Sequence, residues 1–200
     1  GTFGVTGDCK QLSSDEIEKL ENHQLKKIDL LYWRNSEINF NSLKDLILSL
    51  EKKTDNEFLK RIYDCEDEKV LKFLVKNNDW INKKNSKDFV KTLWECCQIP
   101  DFSKKAYGNH IEIVKKVFEF LVSKSGKVTN DYMKKQLEHL DKYEGNIDTL
   151  SNRISNVRTW SYVSNKKNWT ANPDYWIERT KYIEDKLSDK LHEELTKSFI

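Results

Sequence analysis

Residues 173–195 read PDYWIERTKYIEDKLSDKLHEEL. Trp176, Ile183, Leu187, Leu191 and Leu195 recur at the spacing that lines one side of an α-helix, with charged residues between them. Pro173 stands where a first helical turn tolerates a residue without an N–H. The stretch predicts one helix of about 25 residues, roughly 37 Å long at ~1.5 Å per residue, enough to brace a whole domain. Upstream, a loop from Asn165 to Asn172 is polar apart from Trp169. Before that loop, Ile147, Leu150, Ile154 and Val157 share a helical face that opens after the turn at Gly145-Asn146.

The same period recurs towards the N-terminus. Tyr132, Met133, Leu137 and Leu140 follow a capping residue at Thr129 or Asn130, and Ile111, Val114, Val117, Phe118 and Leu121 end at Ser125-Gly126. Phe89, Val90, Leu93, Trp94 and Cys97 form an amphipathic stripe stopped by Pro100. Shorter helices are expected at Val70, Leu71 and Leu74, at Phe58, Leu59 and Ile62, and at Leu43, Leu46, Ile47 and Leu50. Ser13-Ser14-Asp15-Glu16 has the form of a capping box. Residues 25–40 lack a helical period and read as an extended or irregular connection around Tyr32-Trp33-Arg34. Gly1-Thr2-Phe3-Gly4-Val5-Thr6-Gly7 differs from the rest, with glycines around β-formers, and reads as one short strand whose sheet partners lie upstream. The expected fold is mainly α, a multi-helix bundle of about eight or nine helices with one short N-terminal strand. Its expected divisions are a strand remnant at 1–10, a helical connecting region at 11–80 and a C-terminal helical domain at 81–200. The polar stretch between Lys76 and Ser86 marks the weak boundary.

Composition agrees with an ordered helical chain. Only two Pro and six Gly interrupt 200 residues, while six Trp, eight Tyr and nine Phe supply core material that disordered chains lack. The 35 basic and 33 acidic side chains leave a net charge of +2, so any affinity for phosphate must come from a local patch. Neither a membrane span nor a signal peptide is read in the sequence, and the expected location is the cytoplasm. Cys9, Cys65, Cys96 and Cys97 form no C-x-x-C pair, and they read as reduced thiols rather than as a zinc site or disulfide.

Catalytic signatures fail one by one. Gly126-Lys127 is the sole Gly-Lys pair, but Val128 follows it and Leu121 occupies the position of the first P-loop glycine. His192-Glu193-Glu194 begins like a zincin helix, yet Thr196 stands where the second histidine belongs. His23, His110 and His139 are scattered, and no nucleophile elbow or Cys/His arrangement is readable. No metal and no cofactor is assigned to the chain.

One patch carries a binding hypothesis. Arg153, Arg158, Trp160, Lys166, Lys167 and Trp169 lie within seventeen positions, and no acidic residue falls between Leu150 and Ala171. Cations and aromatic faces together suit single-stranded nucleic acid, the former for phosphates and the latter for stacked bases. At ~100° per residue, Arg153, Asn156 and Trp160 lie on one flank of the apolar stripe and Arg158 on the other. The alternative reading puts the tryptophans in the core and the arginines at the surface as pairing partners.

Several runs also resemble a known family. They are Ile147-Asp148-Thr149-Leu150-Ser151-x-Arg153-Ile154, Arg158-Thr159-Trp160, and Pro173-x-x-Trp176-x-x-Arg179-Thr180. Glu184-Asp185-Lys186-Leu187-Ser188-Asp189 continues them, and Gly1–Gly7, Trp33-Arg34-Asn35 and Leu93-Trp94-Glu95-x-Cys97-Gln98-Ile99-Pro100-Asp101 belong to the same likeness. The chain resembles the superfamily 2 DExH RNA helicases of the mitochondrial degradosome type, in their bacterial branch. The resemblance implies a start just past the second RecA-like domain, within a helical C-terminal region that packs on the motor and helps enclose single-stranded RNA. ATP and Mg²⁺ would then belong to the parent protein's motor, and a partner nuclease is the further associate it suggests. The motor motifs themselves are absent from these residues, so the chain is expected to be inactive alone. A docking module for the motor or a nuclease, without RNA contact, is the alternative.

Overall fold

The computed structural model describes residues 13–24, 31–63, 65–103 and 107–198. Among them are helices α1 (Ser14–Glu21), α2 (Leu43–Glu51), α3 (Glu66–Asn77), α4 (Asp79–Asn82), α5 (Lys87–Cys97) and α6 (Tyr107–Leu121). The series continues with α7 (Asn130–Glu138), α8 (Ile147–Asn165) and α9 (Pro173–Ser198). Two three-residue strands, β1 (Leu31–Trp33) and β2 (Leu59–Arg61), complete the set. The fold is mainly α, a helical bundle with a small sheet. The strand expected at Gly1–Gly7 lies outside the described residues.

The chain divides into two compact units. One holds residues 1–34 and 53–62, the other 35–52 and 63–200. The first contains α1 and the sheet. Ser13 and Glu16 make the reciprocal capping box of α1: the Glu16 amide donates to Ser13 Oγ at 3.3 Å, and the Ser13 amide donates to Glu16 Oε2 at 2.9 Å. β1 and β2 run parallel, with Leu31 opposite Leu59 and Trp33 opposite Arg61. This corrects one expectation and agrees with another. Residues 58–62 are not a helix, whereas the extended reading around Tyr32-Trp33 is met by β1. Phe58, Leu59 and Ile62 imitate a helical period, but Leu59–Arg61 instead finds a main-chain partner 28 residues upstream: the Leu31 amide donates to Phe58 O, and the Ile62 amide to Trp33 O.

The second unit is built on one apolar cluster running from Leu43 to Leu187. Its helices start where side-chain acceptors meet orphan N–H groups. Ser42 caps α2, Ser86 caps α5, Thr129 caps α7 and Asn146 caps α8, the last by accepting from the Thr149 amide at 2.9 Å. Pro173 opens α9, whose 26 residues cover roughly 39 Å at ~1.5 Å per residue. α8 and α9 pack along one another more extensively than any other pair of elements and bury Val157, Trp160, Ile183 and Leu187. Trp80, Phe89 and Phe118 form an aromatic triad, with centroid separations of 5.1–6.1 Å. The triad ties α4, α5 and α6 together across residues 77–86. The polar stretch expected as a boundary there is therefore enclosed within one unit, with Ile81 completely buried.

Candidate functional site

The six residues proposed from the sequence as an RNA-contacting patch sit on α8 and the loop after it. Trp160 is 2% exposed and Trp169 6% exposed. Trp160 meets Tyr132 of α7 edge to face at 5.8 Å. No stacking face of either indole opens to solvent, so in this conformation a base has nowhere to lie on them. The alternative reading for the tryptophans, core packing, is what the geometry supports. The helical stripe of α8 continues through Trp160 because α7 covers the flank that helical periodicity alone leaves open.

The arginines are committed to the protein as well. Arg153 Nη1 donates to the carbonyls of Lys142 at 2.8 Å and Glu144 at 2.6 Å, closing the turn before α8. Gly145 completes that turn at φ 143°, and a Cβ there would come 2.9 Å from Thr149 Cγ2. Arg158 Nε donates to Glu184 Oε1 at 2.7 Å and so links α8 to α9. The remaining cations differ. Lys167 is exposed, and Lys166 lays its ammonium over the rings of Tyr162 at 4.9 Å and Trp169 at 5.8 Å.

Other residues of the same runs also act as ties. Thr159 Oγ1 donates to Pro100 O at 3.3 Å, joining α8 to the segment after α5. Trp176 Nε1 donates to Asn130 Oδ1 at 2.9 Å, fixing the start of α9 to the start of α7. Arg179 of α9 pairs with Asp141, which also accepts from the Tyr143 hydroxyl. Burial first, and then that hydrogen bond, push the Tyr143 phenol well above its ordinary range. The runs quoted from α8 and α9 thus read, residue by residue, as the joints of the bundle.

Between α8 and α9 lies an open groove of about 370 Å³ lined by Ser151, Arg158, Ser188 and His192 with Leu191 and Leu195. Its one strong cation, Arg158, is held by Glu184. Among the described residues no three His, Cys, Asp or Glu side chains gather in a way that could hold a metal ion. Cys96 and Cys97 are buried, and burial raises both thiols far above their ordinary value, which makes them poor nucleophiles. No described helix is long and apolar enough to cross a membrane.

The exposed apolar side chains had no signal in helical periodicity. In the first unit Tyr32 is 73% exposed, Phe58 63% and Leu31 56%, all on or beside the two-stranded sheet. Consecutive strand residues point to opposite faces, so Leu31 and Tyr32 leave both faces of β1 open. Parallel strands are ordinarily buried between other layers, and two short strands alone are marginal in water. The chain matches no family model, no curated protein and no solved structure.

Proposed function

We propose that this chain is a non-catalytic helical region of an ATP-dependent RNA helicase and that its main work is to dock on the RecA-like motor. The observation that carries this reading is the contrast between two sets of aromatics. Trp160 and Trp169, placed by the sequence among cations, are buried, whereas Tyr32 and Phe58 stand in solvent on a sheet that has two strands among the described residues. A large ring in water that is not used for bases is most simply used for a protein surface. Covering Leu31, Tyr32 and Phe58 would yield about 1.5–3 kcal/mol each before the entropic cost of association. The resemblance at α8 and α9 supplies the partner's identity. ATP and Mg²⁺ would be handled by the motor, with this chain contributing no group to the chemistry.

The test is to express the tandem RecA-like domains of such a helicase as a separate polypeptide and pass them with this chain over a size-exclusion column. Co-elution at equal stoichiometry is the expected result. Independent elution at micromolar concentration would overturn the docking reading. An RNA-guiding role through the Arg153–Trp169 face finds less support, because its rings are buried and its arginines are engaged.

A further inference from the structure

Within the second unit an open groove of about 570 Å³ runs between the first turns of α2, the end of α3 and the segment after α4. Leu43, Ile47 and Leu48 line it from α2, Val75 from α3, and Asn82 and Asn85 from the far side. Leu48 is 56% exposed, although it shares its helix with the buried Leu43, Leu46 and Leu50. The two asparagines are spent on the scaffold. Asn82 Nδ2 donates to Val75 O at 3.0 Å, and Asn85 Oδ1 accepts from the Leu43 amide at 3.5 Å. Those bonds pin the walls to one another, and the aliphatic side chains line what stays open.

The rim is cationic. Lys44 lines the groove itself, and Lys76, Lys83 and Lys84 are exposed one position away from Val75, Asn82 and Asn85. Among the described residues none of these four lysines forms an ion pair. Farther along the same two helices Lys72 does, with Glu51. From Lys76 to Lys87 four lysines stand against one acidic residue, Asp79. On the α2 side Asp45 is occupied by the cap, accepting from Ser42 Oγ at 2.7 Å.

We infer that this groove is a docking site for an acidic amphipathic helix of a partner protein. It rests neither on the sheet nor on the resemblance, because every lining residue belongs to the second unit. Charge complementarity selects the occupant. An amphipathic helix lays apolar residues at i, i+3 or i+4, and i+7 into a groove, and its flanking positions then fall over the rim. Carboxylates at those flanks meet the ammonium groups of Lys44, Lys76, Lys83 and Lys84, which steer encounter and set the register. The same lysines repel a basic helix. The aliphatic floor selects a peptide over a bare polyanion. Covering Ile47, Leu48 and Val75 releases free energy only to a partner that brings apolar side chains. No aromatic ring lines the groove for a base to stack on. A contact of this size is small beside a standard protein interface, so the association is weak and transient.

The test is fluorescence anisotropy of a labelled peptide titrated with the whole 200-residue chain. The peptide has about 15 residues, with Leu at i, i+4, i+7 and i+11 and Glu at most other positions. The expected result is a dissociation constant of about 1–100 µM that rises with salt. Leu48→Glu, a change at an exposed position that the fold tolerates, weakens binding at least tenfold. Lys44→Glu with Lys83→Glu weakens it by about tenfold as well and reduces the salt dependence. That variant binds a peptide with Lys in place of Glu more tightly than the parent chain does. Lys134→Glu with Lys135→Glu, on the exposed side of α7, makes the same change in net charge and leaves the constant as it was. No binding at about 500 µM, equal binding of the same residues in scrambled order, or an unchanged constant in Leu48→Glu overturns the groove. An unchanged constant in Lys44→Glu with Lys83→Glu overturns the acidic partner. Displacement of the peptide by an oligouridylate of equal charge overturns the assignment to a protein helix.

Discussion

Replacing Trp160 by Ala separates a core tryptophan from a surface one. The side chain is 2% exposed, lies in the main apolar cluster and packs against Tyr132. Truncating a buried Trp removes its transfer free energy and leaves a cavity, for a cost of about 3–5 kcal/mol. In a domain of this size each kcal/mol shifts the melting temperature by about 2–4 °C, so Trp160→Ala should melt roughly 6–20 °C below the parent. With a urea dependence of about 1–3 kcal/mol per molar, the unfolding midpoint should fall by ~1 M or more. Far-UV circular dichroism reads both quantities. Trp160→Phe, which keeps a ring facing Tyr132, should fall between the two, and Lys167→Ala should stay within about 0.5 kcal/mol of the parent. A loss below about 1 kcal/mol in Trp160→Ala would refute the buried placement and return the indole to the list of stacking residues.

Other outcomes follow from the same packing. Arg158 and Glu184 form an ion pair that is about half exposed on the arginine side, so a double-mutant cycle with Arg158→Ala and Glu184→Gln should give a coupling of about 0.2–1 kcal/mol, weaker at high salt. His110 is buried on α6, and burial, against the opposing pull of Asp101, lowers its pKa below the ordinary 6.5. The unfolded chain therefore takes up the proton first as pH falls. Stability should be greatest above about pH 6.5 and decline from there towards the lower folded value, and His110→Leu should flatten that part of a denaturation series. Alkylation with peptide mapping should label Cys65 in the native protein and reach Cys96 and Cys97 only after denaturation.

The helices were legible where a period of 3.6 and a cap coincided. Asn146, Thr129 and Pro173 each mark a start, and the apolar residues behind them point into one core. The sheet was legible only in part: Tyr32-Trp33 reads as extended, but Phe58, Leu59 and Ile62 satisfy a helical spacing and the pairing of Leu59 with Leu31 depends on a partner far along the chain. The same reason limits the candidate site. A tryptophan among cations looks alike whether a base or Tyr132 covers it, and only the docking of α7 on α8 distinguishes the two. The joining of the α6–α7 loop to the α8–α9 loop was not legible either, because it rests on a main-chain bridge spanning 42 residues, from Val128 to Thr170.

The central claim, that the exposed sheet docks on a RecA-like motor, is tested most directly by sedimentation velocity with the separately expressed motor. The measured quantity is the dissociation constant of the parent chain and of a Tyr32→Ser, Phe58→Ser variant. Losing two large apolar contacts should weaken association by at least tenfold, which corresponds to about 1.4 kcal/mol. Equal dissociation constants for parent and variant, or no complex at concentrations of about 50 µM where an interface of this kind should form, would contradict the account.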